Sequence, residues 1–135
     1  MKANPMPALV QFMGEQVDGL DVASGNEMQV ALNAGVDAHQ ISFAGPGKGI
    51  KELIMAVASQ VTVNVESFTE LQRLTEISDK LGVRARVAIR VNPDFELKSS
   101  GMKMGGGAQQ FGIDAEQVPK ALAQVADFGL HYRGL

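Results

Sequence analysis

Lys2 stands ahead of Ala3-Asn4-Pro5, at what reads as the exit of a strand. An amine against an apolar wall can be neutral near pH 7 and attack a carbonyl, which makes Lys2 a candidate Schiff-base lysine; the other reading is a solvated lysine at a frayed chain end. Asp21 sits between Leu20 and Val22 at the polar end of an apolar run, as an acceptor for a neighbouring loop or as a site residue. Arg90 follows Val87-Ala88-Ile89 and precedes Val91-Asn92-Pro93. A guanidinium buried in such a run needs a partner, either an anionic ligand or a structural carboxylate. Ser24 and Glu27 are also candidates, though their spacing is explained by a helix start without any ligand.

Other patterns exclude chemistry. Gly45-Pro46-Gly47-Lys48-Gly49 looks like a phosphate cradle, but Gly49 stands where a P-loop needs Ser or Thr, and the third glycine of the dinucleotide fingerprint is missing. It reads as a tight loop. His39 and His131 have no partners at metal-ligand spacing and cysteine is absent, so no metal site, disulfide or thiol nucleophile is expected. A serine triad built on Ser24 and His131 has no nucleophile elbow to support it.

The elements that must position these residues alternate along the chain. Helical spacing covers Met6 to Val17, Asn26 to Ala34, Ile50 to Ala58, Phe68 to Leu81 and Ala115 to Phe128. Strand-like runs cover Gly19 to Val22, Ile41 to Phe43, Val61 to Val65, Arg84 to Val91 and Leu130 to Leu135. Ser24-Gly25-Asn26-Glu27, Ser67-Phe68-Thr69-Glu70 and Asp114-Ala115-Glu116-Gln117 fit the capping-box spacing, and Gly35 and Gly82 are placed as helix C-caps. Strand–helix alternation with short connections means a parallel α/β sheet. Strand exits fall near Asn4, Ser24, Gly45, Ser67 and Asn92, a regular period that favours a (β/α)8 TIM barrel over a doubly wound sheet. A complete barrel takes about 250 residues, so the 135 residues are expected to be a partial barrel of five to six βα units, residues 1–135 forming one domain with no second. Such a piece is expected to expose two strand edges and an apolar inner face, open to pairing with another chain. The stretch from Pro93 to Phe111 is long for a βα loop and reads as a functional lid or a disordered segment.

Composition narrows the partners. Hydrophobic residues are 45% and charged residues 20%, a balance that excludes a disordered tail. The net charge of −3 argues against nucleic acid and anionic membrane surfaces. The longest charge-free stretch, Leu53 to Val65, is too short to cross a bilayer, and no signal peptide opens the chain. A cytoplasmic protein is expected.

Five segments taken together resemble the fold-type III pyridoxal-phosphate decarboxylases, the ornithine/diaminopimelate/arginine group. Lys2-Ala3-Asn4-Pro5 is similar to that family's lysine segment, Asp21-Val22-Ala23-Ser24-Gly25-Asn26-Glu27 to its Asp-x-Ala-Ser-x-x-Glu, and Asn64-Val65-Glu66-Ser67 to its Asn-Val-Glu-Ser. Arg90-Val91-Asn92-Pro93 resembles its Arg-(Ile/Val)-Asn-Pro, and Gln110-Phe111-Gly112 its Lys-Phe-Gly, with Gln110 in place of the lysine. Met102 to Gly107 is similar, more softly, to an exosortase-associated diaminopimelate-decarboxylase-like branch. The resemblance implies an alanine-racemase-like barrel that binds pyridoxal 5'-phosphate, with Lys2 forming the internal aldimine and Arg90 beside the ring substituents. It places Asp21 near the lysine, with Glu27 and Ser24 as further contacts. It also implies decarboxylation of an α-amino acid, a diaminopimelate-like diamino acid being favoured, by a homodimer whose isolated front portion is inactive. The alternatives are an alanine racemase-like enzyme, or a non-catalytic homologue that carries or is regulated by the cofactor.

Overall fold

The computed structural model describes residues 1–93 and 111–135. Five strands form one parallel sheet, β1 (Leu20–Val22), β2 (Ile41–Phe43), β3 (Thr62–Val65), β4 (Arg86–Ile89) and β7 (His131–Gly134), in the order β1-β2-β3-β4-β7. A small parallel pair, β5 (Val91–Asn92) and β6 (Ile113–Asp114), stands apart from it. The strand order follows the chain and never reverses, so the sheet is wound in one sense as in a barrel, and lacks the switch point of a doubly wound sheet.

Helices α1 (Pro7–Gly14), α2 (Gly25–Asn33), α3 (Ile50–Ser59), α4 (Phe68–Leu81) and α5 (Val118–Asp127) connect the strands. Apart from α1, which buries Val10 alone, each buries an apolar stripe at helical spacing, Met28 and Ala31 on α2, Leu53, Ala56 and Val57 on α3, Leu71, Leu74 and Ile77 on α4, and Val118, Ala121 and Val125 on α5. These meet Val22, Ile41, Phe43, Val63, Val65, Val87 and Ile89 from the strands in one core. On the strands the intervening residues are Asp21, Ser42, Thr62, Asn64, Arg86 and Ala88. The expectation of an apolar inner face is therefore corrected, because only the helix-covered face carries the aliphatic residues and the strands alternate with period two. The two open edges are β1 and β7.

Two of the three expected helix starts form, with one modification. The Ser24 and Ser67 hydroxyls accept the N–H groups of Glu27 and Glu70, both at 3.2 Å. The two glutamates reach one residue further back than a capping box requires, Glu27 taking the N–H of Ala23 at 2.8 Å and Glu70 that of Glu66 at 2.9 Å. The third box does not form. Asp114 accepts instead from the Asn92 side chain at 3.1 Å, and the expected helix from Ala115 opens as a 3-10 turn, Ala115–Gln117, before α5. Gly82 ends α4 with φ +64° and Gly35 follows α2 with φ +83°, as the C-cap assignments required.

The expected strand Arg84 to Val91 breaks at Arg90. Its N–H donates to the Val65 carbonyl at 2.9 Å and its carbonyl accepts from Ile113 at 2.8 Å, so the chain changes partner there from β3 to β6. Gly112 makes that approach possible, because a Cβ on it would lie 2.8 Å from the Arg90 oxygen and 3.0 Å from the Asn92 nitrogen. Gly112 and Gly35 share a positive φ, +84° and +83°, but Gly35 has open space around it. Gly35→Ala is thus expected to cost about 1–2 kcal/mol for the left-handed conformation alone. Gly112→Ala should cost more, by about another 1–3 kcal/mol for the strained contact. Denaturant unfolding of both variants checks the order, and equal losses would contradict it.

Candidate functional site

Parallel α/β folds gather chemistry at the carboxyl ends of their strands. Here Ser24, Gly45, Glu66 and Arg90 follow β1, β2, β3 and β4 at that edge. Lys2 is brought to the same sheet by the chain start, whose Met1 ammonium donates to the Asp21 carbonyl at 3.0 Å. The Lys2 side chain is exposed and has no hydrogen bond or ion pair with another described residue.

Asp21 is exposed on β1, and its carboxylate accepts from the Ser42 hydroxyl on β2. Of its two readings, the acceptor role is thus present, with a neighbouring strand rather than a loop as donor. Ser24 and Glu27 are both occupied at the start of α2, as described above, so their capping roles are real. Gln110 and the Met102 to Gly107 segment lie outside the described residues, as does most of the long stretch after Pro93.

Arg90 has a structural carboxylate. Its Nη1 lies 3.2 Å from Glu66 Oε1 and 3.4 Å from Oε2, and the ring of Phe111 covers the guanidinium at 4.9 Å. The arginine side chain remains 30% exposed while that of Glu66 is 2% exposed, so one side of the pair still faces solvent. Among the described residues only Nη1 is engaged, which leaves guanidinium N–H groups for an anion.

Around Glu66 runs a closed circuit that sequence reasoning did not assemble. Glu66 Oε1 accepts the Gly45 N–H at 2.6 Å, the Glu66 N–H donates to Glu70, Glu70 pairs with Lys48 at 2.9 Å, and Lys48 Nζ donates to the Gly45 carbonyl at 2.6 Å. Lys48 is therefore spent inside the fold, which agrees with reading its glycine-rich segment as a loop. The available signal was the pair Glu66 and Glu70, one turn apart across a helix start, facing the single lysine of the preceding loop.

Arg86 was also missed. It is 6% exposed on the inner face, with an Nε that has no hydrogen-bond partner among the described residues. Burial and then the Arg133 guanidinium lower its pKa from the usual arginine value, against the opposing charge of Asp37. Among the described residues no cluster of His, Cys, Asp or Glu could hold a metal, and no helix is long and apolar enough to cross a membrane.

The donor types suit a cofactor that carries an aldehyde and several anionic oxygens: an uncommitted primary amine at Lys2 and a half-engaged guanidinium at the exit of β4. Comparison with known proteins agrees. The family model for the pyridoxal-dependent decarboxylase pyridoxal-binding domain matches residues 1–135. Diaminopimelate decarboxylase of Aquifex aeolicus is 44% identical over 122 residues, covering 89% of this chain and 29% of that protein. The L-glutamyl-[BtrI acyl-carrier protein] decarboxylase of Niallia circulans is 39% identical over 126 residues, covering 93% of this chain and 29% of that protein. The structure of Helicobacter pylori diaminopimelate decarboxylase complexed with L-lysine superposes with a TM-score of 0.87 at 28% identity, covering 98% of this chain and 34% of that one. The chain thus spans under a third of the length of these curated relatives.

Lys48 and Glu70 side chains are 1% and 8% exposed, so removing one charge strands the other. Lys48→Met is expected to lower the unfolding free energy by about 3–5 kcal/mol. The exposed Lys51→Met should change it by less than about 0.5 kcal/mol. Paired urea titrations test this, and a Lys48→Met loss as small as that of Lys51→Met would contradict the circuit.

Proposed function

Because the chain belongs to the pyridoxal-dependent decarboxylases, as part of their pyridoxal-binding domain, we propose that the full-length protein removes the α-carboxylate of a diamino acid of the diaminopimelate class, with Lys2 as the residue that holds pyridoxal phosphate. The partial parallel barrel and the cofactor come with the family; substrate and residue roles are the proposal. The observation that carries it is the Lys2 amine, exposed and engaged by no other described residue, next in the chain to Met1, whose nitrogen donates to the Asp21 carbonyl of β1. Lys48, by contrast, is closed inside an ion pair and cannot serve.

When bound, pyridoxal phosphate supplies an electron sink for the pair left behind as the carboxylate departs as CO2. The residues of this chain bind and orient. Lys2 gives the covalent attachment, and Asp21, tethered by the Ser42 hydroxyl, sets a fixed negative charge on the strand beside it. Arg90 offers its free guanidinium N–H groups to anionic oxygen at the strand exits. Ser24 and Glu27 act through the start of α2, fixing the turn after β1.

The diaminopimelate class is favoured because the first of these relatives and the superposed lysine complex are diaminopimelate decarboxylases. The Niallia circulans relative acts on a carrier-bound glutamyl group, so that substrate class is the second to assay. A homodimer and a cytoplasmic location belong to the same proposal and are read by sizing and fractionation of the full-length protein.

Borohydride reduction of the full-length protein with limiting pyridoxal phosphate, followed by peptide mass mapping, tests the reading. Label should concentrate on Lys2, and Lys2→Ala should abolish both the label and CO2 release from diaminopimelate. Label spread over other lysines, or turnover that survives Lys2→Ala, would overturn it.

A further inference from the structure

Arg90 is the most firmly built residue among the candidates, and what builds it is Glu66. The Glu66 side chain is 2% exposed and cannot turn away, since Oε1 holds the Gly45 N–H at 2.6 Å and its own N–H is held by Glu70 at 2.9 Å. Glu70 in turn is pinned by the buried Lys48. On its far side the guanidinium lies against Phe111, whose own place is fixed by Gly112 and by the Ile113 N–H on the Arg90 carbonyl at 2.8 Å. The arginine is thus gripped at one nitrogen and one face before any ligand arrives.

We infer that Glu66 is the positioning residue of the cofactor site, acting through Arg90: it sets the guanidinium at the strand exits so that the remaining N–H groups meet an anionic oxygen without first losing side-chain freedom. This rests on the reading that Arg90 faces the cofactor. Pre-ordering a long, rotamer-rich side chain raises affinity by removing part of the ordering cost from the binding step. Glu66 Oε1 serves both the Gly45 N–H and, at 3.2 Å, Arg90 Nη1, so the two roles differ in what they need: the neutral N–H needs an acceptor, and the guanidinium gains from the charge. Glu66→Gln keeps the length and an acceptor oxygen for the loop and removes the charge that holds the guanidinium.

The experiment is a double-mutant cycle on the full-length apo-protein, reading the dissociation constant of pyridoxal phosphate by absorbance, with Glu66→Gln, Arg90→Met and the pair of substitutions. Glu66→Gln is expected to weaken binding about tenfold and to add nothing once Arg90 is Met, while amide exchange at Gly45 stays as in the wild type. An effect of Glu66→Gln that persists undiminished beside Arg90→Met would show that Glu66 acts on the fold alone and overturn the inference. Wild-type binding by Glu66→Gln alongside weakened Arg90→Met would overturn it too, leaving the reading of Arg90 intact. Wild-type binding by Arg90→Met would remove that reading and the inference with it. Should Glu66→Gln fail to fold, Glu66→Asp replaces it in the same cycle: its shorter side chain withdraws the carboxylate from Arg90 Nη1, so binding should again weaken and add nothing beside Arg90→Met, with Gly45 amide exchange now free to rise, and an effect undiminished beside Arg90→Met would overturn the inference.

Discussion

A carboxylate shut away from water at the exit of β3 is the constraint that orders the rest of the strand-exit edge. An ionised Glu66 at 2% exposure is tolerable only with its oxygens satisfied, and the chain supplies an N–H from the loop after β2 and a guanidinium from the residue after β4. Those two donors come from the strands on either side of β3. Meeting the demand of one buried group therefore fixes three neighbouring strand exits relative to one another. Around β1 the turn is held by the Ser24 and Glu27 caps and by the Gly25 N–H on Glu52 at 2.6 Å, while Asp21 on the strand stays exposed beside the Ser42 hydroxyl.

The alternation of elements was plain in the sequence because each helix carries its own start and stop. Phe68 to Leu81, with Ser67 before it and Gly82 after, is helical over those same bounds. Arg90 was legible as an oddity, since a guanidinium in an aliphatic run cannot be neutral to its surroundings. Its partner was not legible, because Glu66 lies far away in sequence and meets it only through the register of β3 against β4. The failed cap at Asp114 has the same origin: a local pattern was outcompeted by Asn92 from a strand that sequence spacing does not bring near. The polar inner face could have been read. Thr62 and Asn64 alternate with Val61, Val63 and Val65, and period-two alternation announces a strand with only one aliphatic side.

The family's segments acquire distinct physical meanings. Ser24 with Glu27 and Ser67 with Glu70 build helix starts, and Glu66 serves Gly45 and Arg90. Phe111 covers Arg90, and Gly112 is required by backbone proximity. Several residues of a sequence signature thus support the site from behind. Lys2 has no such structural duty among the described residues, and it is the residue on which the chemical proposal turns.

The winding of the sheet in one sense bears on how the protein is made. Within β1 to β4 each strand pairs with the one just synthesised before it, so the βα units can zip in order as the chain leaves the ribosome, each closing a short loop. A growing parallel sheet is usually a hazard, since its waiting face is sticky. Here that face shows hydroxyl, amide and carboxylate groups at Ser42, Thr62, Asn64 and Asp21, which water wets. That polarity leaves the open face of the sheet compatible with water while the strands add in order.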